Sequence, residues 1–294
     1  MESEFDRATV LAGVPIRAIE VAFEDGSLPG YFLEIDDRLR PMLMVVGGGG
    51  TFREDLYYYG GLPGWRRGYN VLMVDLPGQG RNPARGFPFR HDASSAVTGC
   101  LDWYEANAQA PDPRVAAYGL SGGGYFTAQA VSADPRIQAW IASTPIFDVG
   151  LVFSREMRGV GRAPGWLVKL GAKVLGRTNA VVDVALKKYA WQFGVVDFAE
   201  VLARVSAEAP IVDPETIVCP SLFLVGDGEA DELRRQTNQL ADVMRTHGRD
   251  VTVRRFSREE GDAHCQVTNL ELAHLVVFDW LDRRFNNSSS GPHR

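Results

Sequence analysis

The sequence predicts an α/β fold built on a mostly parallel central sheet with helices on both faces. Short apolar runs alternate along the chain with longer segments of helical periodicity, which is the pattern of strand–helix–strand units. Most of the candidate strands are continuous apolar runs, and strands of that kind are buried on both faces. The 294 residues, of which 45% are hydrophobic and 23% charged, suffice for one such domain with an insertion.

The predicted elements follow one another in a regular order. The first two strands flank an Asp25-Gly26 pair, which favours a tight hairpin, so these two strands are expected to be antiparallel. The predicted strands are 16–23, 28–35, 41–46, 70–75, 115–118, 137–143, 221–225 and 250–256. The predicted helices are 51–68, 94–109, 125–131, 231–246 and 270–285.

One long segment interrupts this rhythm. Between Asp148 and Cys219 there is no strong strand signal, but helical periodicity is present at 166–174 and 181–193. We interpret this segment as a helical lid over the carboxyl edge of the sheet, because soluble proteins avoid large exposed apolar patches. The end of the chain is rich in Ser, Asn, Gly and Pro, as disordered segments are. The predicted boundaries are 1–149 and 216–285 for the core, 150–215 for the lid and 286–294 for a disordered tail.

The composition argues against several classes of protein. A net charge of −6 without a basic stripe predicts no nucleic-acid partner. The chain has no run of about 18 apolar residues, and its acidic start is unlike a secretory signal, so we expect no membrane partner. Its three cysteines fit neither a disulfide framework nor a zinc site. We expect a cytoplasmic protein that acts on a small molecule and holds no metal. The sequence does not decide whether the protein forms a homodimer.

The most specific motif is Gly-Leu-Ser-Gly-Gly at 119–123. It follows the apolar run 115–118 and precedes a predicted helix, and G-x-S-x-G in this context is the nucleophile elbow of an α/β-hydrolase. The glycines allow a very tight turn from strand to helix, in which the serine adopts strained dihedral angles. The motif therefore predicts the α/β-hydrolase fold, with Ser121 as its nucleophile.

A serine hydroxyl needs a base within hydrogen-bond reach, and the base needs an acid to orient it. In this fold the chain order is serine, acid, histidine. Of the five histidines, His264 lies between the last predicted strand and the last helix, where the base belongs. His264 is therefore the predicted general base.

The acid is expected in the loop after the strand 221–225. Counting three residues from Gly226 indicates Glu229, whereas counting from Gly228 indicates Asp231, and the sequence leaves the two as alternatives. Asp231 can equally cap the following helix. Lesser alternatives are Asp227 in the same loop and Asp148 after the preceding strand.

An oxyanion hole needs two backbone N–H donors. The first predicted donor is Gly122, directly after the nucleophile. The second is expected from the glycine run 47–50 after the third strand, at Gly49 or Gly50. No Gly-Lys-Ser or Gly-Lys-Thr follows this run, which excludes a phosphate-binding P-loop.

Four features together resemble the esterase family of the fermentation-respiration switch protein, over residues 15–285. This group includes 2,6-dihydroxypseudooxynicotine hydrolase and fungal polyketide-shortening hydrolases. The features are the elbow, Asp-Leu-Pro-Gly-Gln-Gly at 75–80, Trp-Gln-Phe-Gly at 191–194 and the pair His264-Cys265. The resemblance implies cleavage of esters, or of C–C bonds next to a ketone, without a metal or an organic cofactor.

The predicted function is that of a serine hydrolase acting on a bulky aromatic or polyketide-like carbonyl compound, either an ester or lactone or an acyl–carbon bond. The alternatives are a non-catalytic ligand-binding protein on a hydrolase fold, and an acyl transferase or thioesterase. Ligand pockets are lined mainly by apolar and aromatic side chains. The aromatic residues predicted to bind the substrate are Tyr57, Trp166, Tyr189, Trp191 and Phe193.

Overall fold

The central element of the protein, seen in a computed structural model, is an eight-stranded sheet. The structure describes residues 2–156 and 165–285. The strands are β1 (Ile16–Phe23), β2 (Gly26–Leu33), β3 (Arg40–Val46), β4 (Asn70–Val74), β5 (Pro111–Leu120), β6 (Ile137–Ser143), β7 (Ser221–Gly226) and β8 (Val251–Phe256).

The strands lie in the spatial order β1-β2-β4-β3-β5-β6-β7-β8. β1 pairs with β2 and β2 with β4 in antiparallel fashion, and the other neighbouring strands are parallel. The predicted hairpin forms with Phe23 opposite Gly26, which leaves two residues in the turn. The predicted fold class, with its mostly parallel sheet, is confirmed.

Helices cover both faces of this sheet. The five predicted helices all form, although the one predicted at 51–68 contains a wider π-helical turn at Tyr57–Gly61 between two short α-helices. The helices are α1 (Glu2–Leu11), α2 (Arg53–Leu56), α3 (Leu62–Arg66), α4 (Ser94–Asn107), α5 (Gly122–Ala133), α6 (Val149–Glu156), α7 (Gly165–Thr178), α8 (Ala180–Gln192), α9 (Phe198–Glu208), α10 (Asp231–Thr246) and α11 (Leu270–Phe285).

The core consists of two apolar layers separated by the sheet. Along β3, Met42, Met44 and Val46 belong to one layer, and Leu43 and Val45 belong to the other. Successive side chains of a strand point to opposite faces, so a continuous apolar run is buried only when both faces are covered. This explains why the parallel strands could be recognised as unbroken apolar runs.

The chain between β6 and β7 forms α6, α7, α8 and α9, which share a small apolar cluster of their own. The end of α8 is tied to loops of the core. The Phe89 N–H donates a hydrogen bond of 2.8 Å to Gln192 O, and Gln192 Nε2 donates one of 3.1 Å to Gly78 O. Residues 157–164 of the predicted lid and the predicted tail 286–294 lie outside the described residues.

Candidate active site

Ser121 occupies a sharp turn between the end of β5 and the start of α5. Its φ of 56° and ψ of −124° are angles that non-glycine residues rarely adopt. The turn leaves no room for side chains at its glycines. A methyl group added to Gly119 would lie 2.3 Å from Thr127 Oγ1, and one added to Gly123 would lie 2.2 Å from Val46 O. The tight turn leaves Ser121 lining a cavity at the edge of the sheet.

His264 reaches Ser121 from the loop between β8 and α11. Its Nε2 lies 2.9 Å from Ser121 Oγ. The next two residues, Cys265 and Gln266, have φ angles of 53° and 51°, so the chain turns sharply just after the histidine. This turn is anchored to the sheet because Ser143 Oγ donates a hydrogen bond of 2.7 Å to the side-chain oxygen of Gln266. The structure thus brings together the predicted nucleophile and the predicted base.

Glu229 lies at the other nitrogen of the imidazole. Its Oε2 is 2.7 Å from His264 Nδ1. Its Oε1 accepts hydrogen bonds from Thr144 Oγ1 at 2.7 Å and from the Cys265 N–H at 3.4 Å. Only 1% of the Glu229 side chain is exposed. Because both carboxylate oxygens have partners, the carboxylate is fixed in its orientation toward the ring.

The other acid candidates lie away from the imidazole of His264. Asp231 is the first residue of α10, and its side chain is 95% exposed and paired with Arg234. Asp148 accepts a hydrogen bond of 2.8 Å from the backbone N–H three residues later, at the start of α6. Asp227 is exposed at the start of the loop. Of the four candidates, the structure brings only Glu229 to the ring.

The pKa values of Glu229 and His264 follow from the contacts of the two side chains. Burial alone raises the pKa of Glu229, but hydrogen bonds from His264, Thr144 and Cys265 lower it below its usual value. The side chains of Cys265 and Glu229 raise the pKa of His264, and burial opposes this effect only in part. The site therefore favours the pair of an imidazolium and a carboxylate, which is the state that a histidine enters when it accepts a proton from a serine.

The start of α5 and the glycine run 47–50 come close together beside Ser121. Gly122 is the first residue of α5, so its N–H has no intrahelical acceptor. A methyl group added to Gly122 would lie 3.5 Å from the nitrogen of Gly49, and this nitrogen donates to no other residue in the described part of the chain. Gly50 is exposed and lies beside Lys188 instead. The geometry favours Gly49 over Gly50 as the second donor.

Gln79 holds the glycine loop in place. Its Nε2 donates to Gly47 O at 2.5 Å and to Gly48 O at 3.3 Å, and its Oε1 accepts from the Leu76 N–H at 2.8 Å. The side chain is buried, so these bonds are protected from water. Sequence reasoning noted the motif at 75–80 that contains Gln79 but assigned it no such role, because its partners lie some 30 residues away.

A cavity of about 430 Å³ adjoins Ser121 and His264. Tyr189 and Phe193, both predicted to bind substrate, line it. Most of its remaining lining is apolar and comes from the core loops and from α5, α6, α9 and α10 as well as α8. The apolar lining residues absent from the sequence prediction include Phe89, Phe126, Ile146, Val152, Phe153, Val205 and Leu233.

Three of the predicted substrate-binding residues do not line this cavity. Trp166 and Trp191 are 66% and 46% exposed, because they lie on the outer sides of α7 and α8. Tyr57 is buried but packs edge-on against Phe5 of α1, with the ring centroids 5.3 Å apart. The prediction chose these residues because they are aromatic and lie in helical segments, and neither property places a side chain in the cavity.

Charged side chains line another part of the cavity wall. Arg90 and Arg204 are exposed there, and His91 Nδ1 lies 3.8 Å from Glu208 Oε2.

Across residues 2–156 and 165–285, no group of three or more His, Cys, Asp or Glu side chains is arranged to hold a metal ion. Over the same ranges, no helix has both the length and the apolar character needed to cross a bilayer.

Comparisons with known proteins identify the family of this chain. Residues 42–283 match the model of the alpha/beta hydrolase family. The chain is 34% identical to the hydrolyase poxO of Penicillium oxalicum, over 91% of this chain and 69% of that protein. It is 27% identical to the 20-hydroxy-prefusarin hydrolase FUS2 of Gibberella moniliformis, over 96% of this chain and 72% of that one.

Among solved structures, 2,6-dihydroxy-pseudo-oxynicotine hydrolase superposes with a TM-score of 0.69 at 17% identity, over 99% of this chain and 74% of that one. At this identity the likeness concerns the fold alone. The family match spans most of the chain and includes β4 to β8, the elbow and the loops that carry His264 and Glu229. The chain therefore belongs to the alpha/beta hydrolase family of enzymes.

Proposed function

We propose that the protein is a serine hydrolase with a triad of Ser121, His264 and Glu229. The observation that carries this proposal is the unbroken chain of contacts from Ser121 Oγ to His264 Nε2, at 2.9 Å, and from His264 Nδ1 to Glu229 Oε2, at 2.7 Å. A hydroxyl, an imidazole and a buried carboxylate in this order are the parts that activate a serine as a nucleophile.

The proposed reaction begins when Ser121 Oγ attacks the carbonyl carbon of the substrate. His264 Nε2 accepts the serine proton, and the resulting imidazolium is stabilised by Glu229. The negative charge that develops on the carbonyl oxygen is stabilised by the N–H groups of Gly122 and Gly49. His264 then donates its proton to the leaving group. Water, activated by His264 in the same way, releases the acid from Ser121.

The proposed substrate is a bulky, mainly apolar carbonyl compound. Its acyl or aryl part would fill the apolar cavity, which is within the size range of sites for drug-sized molecules. Two leaving groups fit this mechanism. An oxygen leaving group makes the enzyme an esterase or lactonase. A carbon leaving group, next to a ketone, makes it a C–C bond hydrolase in which His264 protonates the departing enolate.

The role proposed for α6, α7, α8 and α9 is that of a lid. Phe153 of α6, Tyr189 of α8 and Val205 of α9 line the same cavity as Ser121. A lid that excludes water strengthens the electrostatic interactions at the reacting carbonyl. One relative, FUS2, is named as a hydrolase of 20-hydroxy-prefusarin. We propose that this chain likewise hydrolyses a bulky substrate.

Labelling with a fluorophosphonate tests the triad. We expect one covalent adduct per chain, located on Ser121 after digestion, because an activated serine attacks the electrophilic phosphorus. Heat-denatured protein serves as the control and should stay unlabelled. A folded protein that binds the probe reversibly but forms no adduct would indicate a non-catalytic ligand-binding protein instead.

A panel of p-nitrophenyl esters, aryl ketones and lactones tests the substrate class. Among the esters we expect kcat/KM to rise about 10-fold or more from acetate to a bulky aryl or medium-length acyl group, because each buried methylene contributes about 0.8 kcal/mol. Initial rates of p-nitrophenol release measure the esters, and product analysis by chromatography measures the ketones and lactones. Rapid turnover of the acetate, with no gain for larger acyl groups, contradicts the proposed use of the cavity.

A further inference from the structure

Tyr189 of α8 lies directly over the glycine loop at the reacting centre. A methyl group added to Gly49 would lie 3.3 Å from Tyr189 Cε1 and 3.6 Å from the Tyr189 hydroxyl oxygen. Both residues line the cavity together with Ser121, Gly122 and His264. The phenol hydroxyl is thus a neighbour of Gly49, the residue whose backbone N–H the proposed mechanism uses as its second oxyanion donor.

The hydroxyl of Tyr189 has no acceptor among the described residues, and its side chain is partly buried. Buried phenol groups normally have a hydrogen-bond partner. Tyr125, for example, donates a hydrogen bond of 2.7 Å to Pro210 O. The free donor of Tyr189 faces a cavity, so its missing acceptor is one that a bound molecule can supply.

The Tyr189 ring is held in place from several directions. Phe153 and Phe198 contact it with ring centroids 5.9 Å and 6.1 Å away, and Lys188 Nζ lies 5.4 Å from its centroid. The end of α8 is also bonded to the core through Gln192. A donor held in this way loses little conformational entropy when it binds a ligand, which is what preorganised stabilisation of a transition state requires.

We propose that the Tyr189 hydroxyl donates a third hydrogen bond to the oxyanion, beside the N–H groups of Gly49 and Gly122. This inference rests on the proposed function and deepens it, since the oxyanion hole is then completed by a helix outside the central sheet. Burial raises the pKa of Tyr189, which favours the neutral phenol that can donate a hydrogen bond. The bond strengthens as charge develops, so it stabilises the transition state more than the bound substrate.

The test is the variant Tyr189→Phe, which removes only the hydroxyl and keeps the ring between Phe153 and Phe198. The matched control is Tyr58→Phe, in which the same atom is removed from a side chain that is 59% exposed and does not line the cavity. The first readout is the second-order rate of inactivation by a fluorophosphonate, whose phosphoryl oxygen takes the place of the oxyanion. The second is kcat and KM for the best p-nitrophenyl ester.

We expect Tyr189→Phe to slow inactivation and to lower kcat by about 10-fold to 100-fold with KM nearly unchanged, as loss of a donor to the transition state does. Tyr58→Phe should stay within twofold of the wild type in both readouts. If Tyr189→Phe matches the wild type while wild-type Ser121 is labelled, the inference is overturned and the proposed function stands. A rise in KM alone assigns the hydroxyl to ground-state binding and also overturns it. If wild-type Ser121 is not labelled, both fail.

Discussion

Replacing Ser121 with alanine is expected to lower kcat by at least about 10³-fold, and up to about 10⁶-fold, as loss of the nucleophile does in other serine hydrolases. The residual rate would come from the oxyanion donors and from substrate binding. KM should change little, because the hydroxyl contributes to the transition state rather than to binding of the substrate. Steady-state kinetics on the best p-nitrophenyl ester measure both parameters.

A matched control lies on the helix that follows the elbow. Ser132, in α5, donates a hydrogen bond of 2.8 Å to Ala128 O and does not line the cavity, so Ser132→Ala removes a hydroxyl without touching the reacting centre. Circular dichroism and thermal unfolding should show that both variants fold like the wild type. Near-full activity of a folded Ser121→Ala variant would eliminate the triad model.

The fold was predictable because its sheet has a simple sequence signature. In a parallel sheet covered on both faces, every position of a central strand is apolar, as the run of residues 41–46 in β3 is. The N-terminal helix α1 was not predicted. Its residues are mostly polar or exposed, and it is held by a few contacts, among them Phe5 against Tyr31 of β2 and against Tyr57. A helix fixed by so few side chains gives only a weak periodic signal.

The parts of the candidate site differed in how far sequence could identify them. Ser121 and His264 are set by a local motif and by position after a strand, which are properties of the chain order. The choice between Glu229 and Asp231 depends on how one loop folds, and two glycine counts were equally consistent with it. Thr144, which fixes the carboxylate of Glu229, lies 85 residues away, so local sequence contains no sign of that bond.

The second large expected effect on kcat distinguishes Glu229 from Asp231 as the acid of the triad. Glu229→Gln is expected to lower kcat by about 10²-fold to 10⁴-fold, because the amide no longer stabilises the imidazolium of His264. Asp231→Asn should stay within about twofold of the wild type, since an exposed ion pair with Arg234 contributes little to the site. Both variants change one acid to its amide, so a comparison of their kcat values isolates the position of the carboxylate.

The pH dependence of kcat/KM provides an independent test of whether Glu229 is the acid. His264 must be neutral to accept a proton, so activity rises as pH increases through its pKa. Cys265 and the carboxylate of Glu229 both raise the pKa of His264. Glu229→Gln removes only the contribution of Glu229, so the rising limb should move to lower pH, with a lower plateau. A rising limb that moves in Asp231→Asn and stays fixed in Glu229→Gln would assign the acid to Asp231.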